Sequence, residues 1–126
     1  MKRYDPLKPP DPEAWLALDE GRRIDLVRQY HVRARIKLPN ANIHAVIHAT
    51  IETQAAMGDE MPARKTLARL MREGLDRHDA IHAAGSVLAQ HLFDLMHSEN
   101  APEDPNRAYF AALEKLTAED WLAKFG

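Results

Sequence analysis

Apolar residues recur along this chain at intervals of three and four rather than two, and residues that start or stop helices bracket each run. Asp11 and Pro12 predict the cap and first turn of a short opening helix, where the missing proline N–H does no harm. The next run, about residues 19–35, sets Ile24, Leu26, Val27, Tyr30 and Val32 among basic residues. "LPN" stops it. Asn40 then caps a third helix reaching about Met57, with Gly58 placed for a left-handed terminus. Pro62 opens a fourth helix, spaced by Leu67, Leu70 and Met71 and closed by Gly74. Asp76 and Asp79 make a capping-box pattern, with Asp in place of Glu, ahead of a fifth helix running to about His97. After the loop "SENAPEDPN", Pro105 opens a sixth helix, and Thr117 caps a short last one carrying Trp121 and Phe125. No segment alternates strictly enough to predict a strand.

The expected fold is therefore all-α, a compact bundle of about five to seven helices making a single domain over residues 1–126. Residues 1–10 are expected as an extended N-terminal arm and 98–104 as an acidic loop. Trp15, Tyr109, Phe110, Trp121 and Phe125 are expected to anchor the terminal helices in the core. Short connections favour antiparallel neighbours, so helices three, four and five run up, down and up. That topology has a chemical consequence. His44 and His48 near the start of helix three fall at the same end as His78 and His82 near the start of helix five.

These are four of seven histidines, in two His-x-x-x-His pairs. Residues four apart share a helix face, so each pair suits one cation, and two facing pairs supply up to four imidazole nitrogens. Glu52 continues the first pair by one turn and Asp79 adjoins His78, which makes both candidate oxygen ligands. The metal-ligand set is then His44, His48, His78, His82, Glu52 and Asp79, for a divalent transition metal, zinc or iron first. In a hydrolytic version Glu52 is the catalytic base acting on metal-bound water. The plainer reading is a set of half-buried histidines in a hydrogen-bond network that fixes helix register, in a non-enzymatic interaction or accessory module. On helix three the apolar stripe reads as Ile43, Val46, Ile47 and Ile51; on helix five as Ile81, Ala84, Leu88, Leu92 and Leu95, with the histidines at the borders. Gly85 inside helix five predicts the close approach of another backbone.

Composition narrows the chemistry. Without cysteine, disulfides, thiolate-ligated zinc, iron–sulfur clusters and thiol catalysis are excluded. A formal charge of −2 gives no general drive toward nucleic acid. "RQYHVRARIK", with Arg28, Arg33, Arg35 and Lys37, would at most contact phosphate, and is more simply a solvated helix face. Ser86 lies one turn beyond His82 but has no nucleophile elbow or oxyanion donors beside it. "His78-Asp79" matches the dyad of HD-type phosphohydrolases, although Asp79 reads first as a helix-start residue. The opening stretch is broken by prolines where a signal peptide needs an apolar core, and no apolar run approaches a membrane span. The expectation is a soluble cytoplasmic protein whose partner is a small molecule or another protein.

Residues 40–95 resemble an uncharacterised bacterial family, the domain of unknown function 1841. The resemblance rests on Asn40, Ile43, His44, His48, Ile51 and Gln54, and continues through "LARLM" to Asp76, His78, Ala80 and His82. It implies a compact helical fold. This chain carries Asp79 and Ile81 where the family carries Glu, and the acid lost at Ile81 leaves less oxygen for a second metal ion.

Overall fold

The computed structural model describes residues 1–38, 40–99 and 103–125. Among them are seven α-helices and no strand: α1 (Pro12–Ala17), α2 (Glu20–Arg33), α3 (Ala41–Ala56), α4 (Ala63–Arg72), α5 (Arg77–Met96), α6 (Pro105–Lys115) and α7 (Ala118–Phe125). A 3-10 turn, Gly58–Glu60, joins α3 to α4. The acidic loop predicted at 98–104 falls partly on residues 100–102, which lie outside the described residues, as does the Phe125 side chain.

Short polar side chains set the starts. Asp11, Asp19, Asn40, Asp76 and Asp104 each accept a backbone N–H from the first turn of the helix they precede; such caps contribute about 1 kcal/mol each. Gly58 and Gly74 take positive φ where α3 and α4 end. At the end of α2 the left-handed position falls on Arg35, φ 58°. Here the Ile36 N–H donates to the His31 carbonyl at 3.0 Å and the Arg35 N–H to that of Val32 at 3.1 Å. This is a Schellman closure made without glycine.

α3 is the central element, packed against α1, α2, α4 and α5. The start of α2 lies along the end of α3, with Ile24 near Ala49 and Thr53, while Arg28 reaches Asn42; the two helices are antiparallel. His44 lies beside His82 and Ile47 beside Gly85, so α3 and α5 run the same way. Two apolar clusters flank α3. Tyr4, Trp15, Leu26 and Val27 meet Ala45 and Ala49 on one side, and Ile51 joins Leu70, Ile81, Ala84 and Leu113 on the other. At 100° per residue, His48 and Glu52 project between those edges, into the seam.

This arrangement corrects the predicted stripes. α3 buries Ala45, His48, Ala49, Ile51 and Glu52, and leaves Ile43 59% exposed and Val46 41%. Val32 on α2 and Leu92 on α5 also face out. The physical reason is that α3 has neighbours on most sides, so neighbour positions, not the richest apolar arc, decide which face is covered. Gly85 does permit a close approach, but by a side chain: a Cβ there would meet Ile47 Cγ2 at 3.0 Å. The N-terminal ten residues form no helix, and Tyr4 and Pro6 within them are buried in the bundle.

Arg35→Gly should raise stability by up to about 1 kcal/mol, since glycine meets no steric penalty at positive φ. Urea denaturation of the two proteins checks this, and a loss of stability would contradict the closure described.

Candidate metal centre

The end of α2 and the starts of α3 and α5 converge at one end of the bundle, and five imidazoles meet there. His31, His48, His78 and His82 each place one ring nitrogen so that all four atoms lie within 4.8 Å of one another. His44 stands at the rim, its Nε2 3.2 Å from His31 Nε2. His31 and His48 are buried; His44, His78 and His82 are half-buried.

Hydrogen bonds fix which nitrogen of the two innermost rings is bare. His31 Nδ1–H donates to the Val27 carbonyl at 2.9 Å, leaving a lone pair on Nε2. The Tyr4 hydroxyl donates to Glu52 Oε2, so its oxygen accepts from His48 Nε2–H at 2.8 Å. His48 therefore presents Nδ1 to the cluster. That Nδ1 is buried without a hydrogen-bond partner, and so are His78 Nε2 and His82 Nε2. In the neutral form of His31, Nε2 carries a lone pair and no proton, and the contact with His44 then has His44 Nε2–H as its donor.

Behind His48 the chain of contacts continues. Glu52, 1% exposed, receives two Arg77 N–H groups at 2.7 Å, one on each oxygen, as well as the Tyr4 hydroxyl. Arg77 also donates to the Pro6 carbonyl at 3.0 Å, which ties the N-terminal segment to α5. The burial of Tyr4 and the neighbouring Glu52 carboxylate hold its hydroxyl well above the usual phenol range, so it stays a donor.

Burial, reinforced by neighbouring imidazoles, lowers His44, His78 and His82 to about 4 and holds His48 well below its ordinary value. All four are neutral near pH 7, the form a metal requires. On His78 and His82 the exposed Asp76 pulls weakly the other way.

The four histidines expected from sequence thus come together at one end, although His44 takes the rim. The two expected oxygen ligands do not join them. Glu52 has both oxygens committed to Arg77 and Tyr4, and Asp79 lies outside the converging set, in the first turn of α5, where its N–H donates to the Asp76 side chain at 2.8 Å. The same positions leave the Glu52 base role and the His78-Asp79 dyad without geometric support. Sequence reasoning missed His31, although the logic that placed the other four applies to it: an antiparallel α2 ends where α3 begins. It sits inside "RQYHVRARIK", where the basic residues are the more conspicuous feature. Of those, Arg28 is engaged with Asn42 and Asp25, and Arg33 with the Tyr4 carbonyl. Among the described residues no helix is long and apolar enough to cross a membrane.

No known family, no curated protein and no solved structure matches this chain.

The electrostatics of the site can be tested at two points. Arg77→Met, which strands a buried carboxylate, should destabilise the fold by about 3–5 kcal/mol; a loss under about 1 kcal/mol in urea titration would show that Glu52 does not depend on it. For the metal-free protein, the unfolded histidines protonate near 6.5 while three folded ones resist to about 4. Unfolding then takes up protons between those values, so stability falls as pH drops from 6.5 to 4. A urea midpoint that stays level across that window would contradict the neutral cluster.

Proposed function

We propose that this protein binds one divalent transition-metal ion, zinc or iron, through His31 Nε2, His48 Nδ1, His78 Nε2 and His82 Nε2. The observation that carries the reading is that four histidines each bring a ring nitrogen within 4.8 Å of the others, while His48 Nδ1, His78 Nε2 and His82 Nε2 are buried without hydrogen-bond partners. A metal-free hydrogen-bond network would supply each with a donor, since an unsatisfied buried polar atom costs about 1–3 kcal/mol. Four ring nitrogens this close together suit a cation. Zinc takes imidazole nitrogen at about 2.0–2.1 Å, so a small inward movement of the rings closes the shell.

The Tyr4–Glu52–Arg77 chain then acts behind the metal ligand. By accepting the His48 Nε2 proton, Tyr4 fixes the tautomer that exposes Nδ1, as carboxylates and carbonyls do for metal-bound histidines. Val27 performs the same service for His31. Glu52 is an orienting group in this reading, not a base, and a hydrolytic reaction would have to find its base elsewhere.

Elemental analysis of protein purified without a metal-affinity tag is expected to give about one equivalent of zinc or iron. His48→Ala with His82→Ala should abolish it and lower the melting temperature, and His31→Ala should do the same. Asp79→Asn should keep it. Unchanged metal in the double variant would overturn the assignment.

A further inference from the structure

A groove of about 410 Å³ opens beside the histidine cluster, between α3 and α5. His44, His48 and His82 line it, together with Ile43, Ile47, Ile81 and Ala89. Gly85 forms part of its floor, which a larger residue would raise. Ala89 lies seven residues beyond His82 on the same face of α5, so the groove runs about 10 Å along the helix from the imidazoles. It is also where the uncovered Ile43 of α3 is found.

Resting on the metal reading above, we infer that this groove binds a small monocarboxylate with an apolar chain, its carboxylate at the metal and its chain along Ile47, Ile81 and Ala89. Two features select the head. Four neutral imidazoles leave a divalent cation's double charge uncompensated in a largely buried site, and uncompensated buried charge is costly. Glu52, the carboxylate behind His48, cannot neutralise it because Arg77 already pairs with it through two contacts at 2.7 Å. Asp5 and Asp76, whose fields reach His78, are exposed and engaged with the Leu7 and Asp79 N–H groups. An anion from outside meets that need.

The second feature is His44. Its Nε2–H donates to His31 Nε2 at 3.2 Å. Once that lone pair is committed to a cation, the His44 N–H has lost its acceptor, and its ring lines the groove. A carboxylate oxygen there restores the hydrogen bond, with the strength that a charged acceptor adds. Asn40, Ser86 and Trp121 also line the groove, but along Ile47, Ile81 and Ala89 the wall is apolar and rewards burial of a chain. Four imidazoles close a tetrahedral zinc shell, so the carboxylate takes a fifth position, one that iron and cobalt accept readily.

The test uses cobalt(II)-loaded full-length protein, titrated with acetate, hexanoate and decanoate and followed by the cobalt visible spectrum. Affinity should rise roughly threefold to fourfold for each methylene the groove buries. Ala89→Trp should remove that dependence while leaving one cobalt bound. His44→Ala should weaken all three acids about tenfold, as loss of a charge-assisted hydrogen bond would. Equal affinity for acetate and decanoate in the loaded protein would overturn the inference and leave the metal reading standing. Decanoate binding as tightly to the metal-free protein would overturn the head-group assignment. Failure to take up cobalt, zinc or iron would sink both.

Discussion

Glu52 is a carboxylate cut off from water, and much of the molecule is arranged around supplying it with hydrogen-bond donors. A buried anion is tolerated only when donors replace its hydration shell, and here three do: two Arg77 N–H groups and the Tyr4 hydroxyl. Each donor carries a structural commitment. Arg77 stands at the start of α5 and holds the Pro6 carbonyl, so the same side chain fixes the N-terminal segment. Tyr4 completes the seam between α2 and α3, packing near Trp15 and Tyr30, and turns its oxygen to His48. One charge pair therefore determines the register of α3 against α5, the path of the first residues and the tautomer of the innermost histidine.

The distribution of charge follows from that pairing. Because the Glu52 charge is balanced by Arg77, it lends nothing to the imidazoles in front of it. His44, His48, His78 and His82 stay neutral by desolvation and by mutual repulsion of their protonated forms. The centre gathers one ring nitrogen from each of His31, His48, His78 and His82 within 4.8 Å.

α3 makes both features possible by turning an unusual face inward. Its inward arc carries two alanines, a histidine, a glutamate and one isoleucine, Ile51, while Ile43 and Ile47 face the rim and the groove. Small alanines let α1 and α2 approach closely, and the polar pair fills the space between two apolar clusters. Leaving Ile43 and Val46 exposed forgoes some apolar burial, which Leu70, Ile81 and Leu113 offset by packing below the polar seam.

The sequence alone determined the helices and their ends, because caps, prolines and glycines act on the backbone within one turn of where they stand. It also determined that the two His-x-x-x-His pairs share an end, since spacing and short connections are local properties. Tertiary structure decided the rest. Which arc of α3 is buried depends on four neighbouring helices, and no hydrophobic count along one helix contains them. That Glu52 faces Arg77 and Tyr4 instead of the imidazoles depends on partners 25 and 48 residues away. His31 has no partner at helical spacing to mark it, and became part of the centre only when antiparallel packing set the last turn of α2 beside the first turn of α3.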